Sequence, residues 1–322
     1  MSQALKTVLS GARLGEKEAV ELIHLPPEEA PDLLAAAHRV RLAFKGHTVS
    51  LCAIVNAKSG RCGEDCAFCA QSSHYRTQAA AYPLLSAEEI VARAREAAAQ
   101  GARAFGIVTS GSRIRREEEW AEILQAVRTI AAEGLLEPHA SLGMLTEEQA
   151  QELKAAGLTT YHHNLETAPS FFPHICTTHP LEEDLATVRA AKAAGLTVCC
   201  GGILGLGETP AQRVELALTL RELDVDSVPL NFLNPIPGTP LENRPLLAPW
   251  EALKAIAVFR LLLPDKDIRL CGGKEKTLRQ LLPLGLLAGA NGLMTGNYLT
   301  TTGREPALDR ELVTDLGLTL VS

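Results

Sequence analysis

Three cysteines, Cys62, Cys66 and Cys69, fall in the segment GRCGEDCAFCAQSS with the spacing C-x3-C-x2-C. A closed structural zinc site takes four ligands, with a second pair of cysteines or histidines downstream. Here the other candidates are scattered singly. A [4Fe–4S] cluster takes four thiolates. Three thiols from one loop therefore hold three irons and leave the fourth to a ligand from outside the protein. Three thiols this close in a reducing cell seldom stay unligated.

Such a loop needs a frame. The chain has 322 residues, 46% hydrophobic and 21% charged, with ample length for a large core. Its net charge of −7 gives no basic field for nucleic acid and favours a small-molecule partner. The N-terminal residues do not read as a signal peptide. The longest apolar run, near Leu281–Leu293, is broken by Pro283, Gly285, Gly289 and Asn291, too interrupted to span a membrane. A cytoplasmic protein is expected, and eight cysteines there point to metal or redox chemistry or to burial, not to disulfides.

Residues 1–45 read as an N-terminal helical segment with a Pro-Pro turn. Short β-like runs follow at 49–55, 104–109, 139–145, 159–166, 197–204, 227–233, 268–273 and 292–296, alternating with amphipathic helical patterns. Ser86 with Glu89 and Thr146 with Gln149 read as capping boxes. Gly101, Gly157 and Gly195 stand where helices should stop. Eight strands interleaved with helices predict an α/β fold, a (βα)8 TIM-type barrel over residues 46–322. An open doubly wound sheet is weakened because no G-x-G-x-x-G follows the first strand. The cysteine triplet follows that strand, which puts it at the carboxyl face where active sites collect.

The triplet, with Phe68 before its last cysteine and its place after the first strand, resembles the radical S-adenosylmethionine superfamily. In that superfamily the open iron chelates S-adenosylmethionine, and reduction of the sulfonium releases a 5′-deoxyadenosyl radical. Gly201–Glu208, GGILGLGE, resembles the superfamily's G-x-I-x-G-x-x-E, which supports the adenine; Gly205 and Glu208 are its cofactor-binding candidates. After residue 45 the chain resembles the biotin synthase family in ordered blocks: NAKSGRCGEDCAFCAQSSHY, YHHNLETAPSFFPHICTTH, VCCGGILGLGET, NFLNPIPGTPL and IRLCGGKE, then the tail from Ala288 to Thr301. The resemblance implies sulfur insertion into dethiobiotin. Two deoxyadenosyl radicals would abstract hydrogen in turn, and sulfur from an auxiliary iron–sulfur cluster would join both carbons. It further implies that Asn164 and Asn231 bind the ureido ring, whose donors and acceptor need amide partners, and that Glu166 binds the cofactor's ribose hydroxyls. An electron donor such as flavodoxin or ferredoxin and a homodimeric assembly are also implied.

The familiar auxiliary site of that family is a [2Fe–2S] cluster held by three cysteines and an arginine. Cys199 and Arg269 match the third cysteine and the arginine, but Gly106 and His139 stand where the first two cysteines would be. Strand periodicity offers replacements, because side chains on a strand alternate faces. Cys271 shares the face of Arg269. Of the adjacent pair, Cys199 is the better lumen candidate, because Val198 shares the face of Cys200. Cys52 is in phase with Asn56. The expected auxiliary ligands are therefore Cys52, Cys199 and Cys271 with Arg269 nearby. Three thiolates then suggest a four-iron cluster bearing an extra sulfide. Cys176 would reach the site only from above. Two other readings remain: a related barrel enzyme, such as a hydrogenase-maturation protein or a methylornithine synthase, and a non-catalytic iron–sulfur sensor.

Overall fold

Nine short strands build the wall around which everything else is arranged. They are β1 (Thr48–Lys58), β2 (Ala104–Thr109), β3 (Glu137–Ser141), β4 (Thr160–His162), β5 (Thr197–Cys199), β6 (Gly202–Leu204), β7 (Ser227–Phe232), β8 (Asp267–Leu270) and β9 (Gly292–Met294). This computed structural model describes residues 2–321. All the pairings among these strands are parallel, and β9 pairs back onto β1 through Ser50, Leu51 and Cys52, so the sheet closes. β5 and β6 share one wall position, since both pair with β7. The barrel is thus eight-stranded, a (βα)8 TIM-type fold, as the alternation of patterns predicts.

The helices follow their sequence signals. After α1 (Ser2–Leu9), α2 (Glu16–Ile23) and α3 (Ala30–Lys45) come α4 (Ala87–Ala99), α5 (Glu117–Glu133), α6 (Glu147–Ala155), α7 (Leu181–Ala193), α8 (Pro210–Glu222) and α9 (Pro249–Leu262). Ser86 and Thr146 form their capping boxes, and Thr209 forms a third with Gln212. Gly101, Gly157 and Gly195 take left-handed φ of 91°, 99° and 75° just past their helices. The first three helices do not enter the barrel. α2 packs on α8 and α9, and α3 on α9. That cover buries α9 on every side, from Ala252 to Leu262. Arg41 of α3 ties the extension to the barrel floor, donating from Nε to the Ala290 carbonyl (2.9 Å) and from Nη2 to the Thr48 carbonyl (3.1 Å).

Two strands are shorter than their β-like runs. β4 ends at His162, because the chain turns at Glu166, whose φ is 63°. The run 197–204 splits at Cys200–Gly201, where Asn164 Oδ1 takes the Gly201 N–H (3.1 Å). A Cβ on Gly201 would lie 2.1 Å from the Pro229 carbonyl oxygen, so only glycine permits this approach. A tenth strand, Thr319–Leu320, adds parallel to the start of β1 outside the barrel. Among the described residues no helix is long and apolar enough to cross a membrane.

Candidate active site at the carboxyl face

The loop after β1 is tied into a fixed shape by its own backbone. Cys62 N donates to the Gln71 carbonyl (3.0 Å), Ser73 N to the Cys62 carbonyl (2.8 Å) and Cys69 N to the Cys66 carbonyl (2.9 Å). The Gln71 amide oxygen accepts from Gly60 N (3.2 Å) and Asn56 Nδ2 (3.3 Å). Gly60 turns with φ 76° where a Cβ would come 2.7 Å from that of Ala81. Cys62, Cys66 and Cys69 are half-buried and face a cavity of about 440 Å³ that also receives Phe68, Asn164, Glu166 and Asn231. Burial pushes the Cys69 thiol up to about 11. The Cys66 thiol is also raised, first by a hydrogen bond with Cys176 and then by burial.

The three ligand atoms of the triplet do not all lie within 4.8 Å of one another. Around one tetrahedral zinc, thiolate sulfurs sit about 3.8 Å apart. Among the described residues only Glu64, Cys176 and His179 bring three such ligand atoms within 4.8 Å of one another. The triplet is wider than one ion requires, and its all-thiol donor set is that of iron–sulfur chemistry.

The same cavity is lined by amides and glycines, among them Asn164, Asn231 and Gly272. Asn231 Oδ1 accepts from Gly272 N (2.9 Å), and its Nδ2 reaches the Gly202 carbonyl at 3.4 Å. Asn164 Nδ2 lies 3.4 Å from Glu166 Oε2. Backbone contacts thus fix both amides while unused lone pairs and hydrogens remain for a ligand. Burial, then the Asp184 carboxylate, raises Glu166 to about 8 against the pull of Asn164. Gly205 and Glu208 do not line the cavity. Glu208 turns inward, accepting from Gly205 N (2.8 Å), Gly207 N (3.0 Å) and Arg213 Nε (2.7 Å). It braces the glycine turn, and Ile203 supplies that segment's cavity surface.

Beneath this cavity lies a second set of thiols. The register puts Arg269 beside Gly292 and Pro229, Cys199 beside His162 and Ser227, and Cys52 beside Ala104 and Met294. Arg269 is pinned in the lumen, its Nε 3.1 Å from Ser227 Oγ and its Nη1 2.7 Å from Ser50 Oγ. A Cβ on Gly292 would fall 2.7 Å from its Cγ, so glycine makes room for the arginine. Burial opposes the charge on Arg269, but the surrounding Cys52, Cys199, Asp267 and Cys271 outweigh it. The thiols have poor acceptors: Cys52 Sγ is 3.7 Å from the Leu293 carbonyl and Cys271 Sγ 3.8 Å from that of Arg269. Cys200, by contrast, packs into the apolar core outside the wall. Three buried thiols converging on a fixed cation form a donor set that fits an anionic iron–sulfur cluster.

Sequence reasoning missed three features. His139 Nδ1 and His162 Nε2 lie 2.9 Å apart, one donating to the other, so the residue at the expected second cysteine is half of an imidazole pair. Burial lowers both histidines, which keeps the pair neutral. Lumen parity on β3 and β4 was the available signal. Tyr298, Leu299, Thr300 and Thr301 fold over the cavity, anchored by Asn56 Nδ2 on the Leu299 carbonyl (2.9 Å); no pattern in that tail reveals the contact. The third is the Glu64–Cys176–His179 group above.

A closed parallel barrel with three cluster-type thiols on its first βα loop defines a radical S-adenosylmethionine enzyme, and residues 57–220 match the Radical SAM superfamily. Residues 229–319 match the Biotin and Thiamin Synthesis associated domain. The chain is 59% identical over 313 residues to the biotin synthase of Geobacter sulfurreducens, covering 97% of this chain and 95% of that one. It is 55% identical over 322 residues to the biotin synthase of Geobacter metallireducens, covering 99% and 98%. The chain belongs to the biotin synthase family. Among solved structures, a methylornithine synthase superposes with a TM-score of 0.84 at 21% identity, covering 99% of this chain and 97% of that one. A hydrogenase maturase from Carboxydothermus hydrogenoformans gives 0.83 at 20% identity, covering 99% and 78%. At these identities the likeness is one of fold.

Proposed function

We propose that this chain inserts sulfur into dethiobiotin to form biotin, with a [4Fe–4S] cluster, S-adenosylmethionine and an auxiliary iron–sulfur cluster as its cofactors. The observation that carries the reading is a single cavity lined both by the thiol triplet and by Asn164, Asn231 and Glu166. When bound, these groups supply a 5′-deoxyadenosyl radical and a sulfur atom. The protein's own part is to bind, orient and exclude water. Cys62, Cys66 and Cys69 hold the [4Fe–4S] cluster. Phe68 and Glu166 bind the nucleoside part of the cofactor, while Gly205 and Glu208 shape the turn that presents Ile203. Below pH 8 the Glu166 carboxyl keeps its proton and can donate to a ribose hydroxyl. Asn164 and Asn231 take the ureido ring with amides already fixed by backbone contacts, so little freedom is lost on binding. Ile54, Val108, Met144 and Met294 give the cavity an apolar lining that keeps water from a reactive radical.

Cys52, Cys199 and Cys271 hold the auxiliary cluster, with Arg269 fixed beside it by Ser50 and Ser227. Three thiolates support a four-iron cluster with an extra sulfide as the donated sulfur. The helices up to residue 45 form an extension on one barrel unit, 46–322. The remaining readings rest on the family: a flavodoxin or ferredoxin as electron donor, a homodimer and a cytoplasmic location. Anaerobic reconstitution with reductant, S-adenosylmethionine and dethiobiotin tests the function. Deoxyadenosine and biotin are both expected by mass spectrometry. Deoxyadenosine without biotin points to another substrate, and neither product points to a sensor.

A further inference from the structure

The barrel lumen carries an imidazole that no part of the proposed reaction uses. His162 ends β4, in register with Cys199 of β5. Residues paired across parallel strands face the same side of the sheet, so both turn into the barrel. His162 also lines the cavity. Its Nε2 lies 2.9 Å from His139 Nδ1, with the two rings tilted and their centroids 5.0 Å apart. That bond leaves Nδ1 as the nitrogen His162 has for a ligand.

The far end of the pair decides which nitrogens carry protons. His139 is buried, and its Nε2 has no hydrogen-bond partner among the described residues. That atom lies 3.8 Å from Glu137 Oε2, and the Glu137 side chain is 45% exposed. The Glu137 carboxyl is held below its ordinary range, first by His139, so it is ionised. A lone pair facing a carboxylate is repelled and an N–H is attracted. His139 therefore keeps its proton on Nε2. Its Nδ1 is then an acceptor, and His162 Nε2 donates to it. A neutral imidazole has one N–H, so His162 Nδ1 carries a bare lone pair. Burial, His139 and Arg269 all disfavour a second proton on that ring. An imidazole whose spare N–H is held by a partner, with a carboxylate behind it, is the usual arrangement of a metal-bound histidine.

We propose that His162, through Nδ1, binds the fourth iron of the auxiliary cluster whenever the extra sulfide is absent, with His139 and Glu137 as its positioning residues. The inference rests on the proposed reaction, because it needs the lumen cluster. Cys52, Cys199 and Cys271 supply three thiolates, and histidine nitrogen can take the place of sulfur at such a cluster, as in Rieske centres. Arg269 spends its Nε on Ser227 and its Nη1 on Ser50; the bare nitrogen is that of His162. The arrangement also accounts for a histidine where the familiar second cysteine is expected. His139 supports a ligand instead of being one. When the extra sulfide leaves, the nitrogen lone pair takes its place on the iron, and that replacement moves neither an electron nor a proton. Reloading runs the other way: hydrosulfide from solution binds the iron and the Fe–N bond breaks.

The test is pulsed electron paramagnetic resonance on reduced holoprotein in which histidine alone carries heavy nitrogen. One sample is reconstituted with iron and sulfide in equal amounts, another with excess sulfide. The first is expected to show a histidine nitrogen coupling of directly bound strength, and the second to lose it. His162→Gln should abolish the coupling and retain about eight irons per chain, since three thiolates still hold the cluster. In His139→Phe, hydrosulfide should displace the nitrogen at a concentration lower by about 10–100-fold. No such coupling in the sulfide-limited sample, the same coupling in His162→Gln, or its persistence in excess sulfide would overturn the proposal. If His162→Gln loses iron, Cys66→Ala decides, because it lacks the lip cluster: a histidine coupling there supports the proposal and its absence overturns it. About four irons per chain in the wild type would overturn the proposal and the proposed reaction together. About eight irons without a histidine coupling would overturn the proposal alone.

Discussion

The lip and the lumen of this barrel each carry three thiols, assembled in opposite ways. At the lip, Cys62, Cys66 and Cys69 come from one loop, closed by its own backbone hydrogen bonds and tied through Glu64, Asp65 and Ala67 to residues 175–179. They are half-buried and open to a cavity. In the lumen, Cys52 comes from β1, Cys199 from β5 and Cys271 from just beyond β8. All three are buried, and only closure of the barrel brings them to Arg269. The lip site is a local motif that the fold displays. The lumen site is a product of register, so it can change its ligands one strand at a time while the wall stays intact. Gly106 and His139, at positions where the family's cysteines are expected, sit on wall strands whose pairing is undisturbed.

Substitutions should separate the two sites. Cys66→Ala is expected to abolish both deoxyadenosine and biotin, because it removes the lip cluster on which every later step depends; retained deoxyadenosine would break the assignment. Cys271→Ala should abolish biotin, leave deoxyadenosine formation in place and lower the iron content by about half. Unchanged auxiliary spectroscopic signals in that variant would remove Cys271 from the lumen set. Glu208→Ala breaks a pair buried on both sides and should destabilise the fold by about 3–5 kcal/mol in denaturant unfolding. Intact stability with weakened S-adenosylmethionine binding would return Glu208 to direct cofactor contact. Asn231→Ala should raise the Kd for dethiobiotin by about 10–100-fold, read by calorimetry on protein already carrying S-adenosylmethionine.

The smallest effect concerns pH. Glu166 has a carboxyl raised to about 8, so the folded protein holds that proton more tightly than the unfolded chain. Its contribution to stability is complete below the ordinary carboxylate range and is lost as pH rises through about 8. Melting temperatures of the cofactor-free protein between acid and mildly alkaline pH should fall less steeply in Glu166→Gln. Parallel curves would show that Glu166 ionises normally.

The contrast between the sites also explains what could be read from the chain. The lip triplet is a spacing, and spacing is visible in one dimension. Part of the lumen is visible too, because alternation along a strand puts Arg269 and Cys271 on one face and separates Cys199 from Cys200. Parity alone places His139 and His162 on lumen faces, but their contact follows only from the register between β3 and β4. The break between β5 and β6 was hidden because the run TVCCGGIL carries no charge or proline to mark it; the split follows from the close approach of Gly201 to Pro229. Glu208 was read as a cofactor residue because motif position does not reveal which way a side chain turns. Its partner Arg213 lies one turn into α8, and the pair spends the carboxylate on the glycine turn.

The central claim is that the three-thiol arrangement occurs twice, and counting iron tests it most directly. Anaerobically purified and reconstituted protein should contain about eight irons per chain, with Mössbauer spectra of four-iron clusters alone. About six irons, with a [2Fe–2S] component, would contradict the account and return the lumen to the familiar two-iron site.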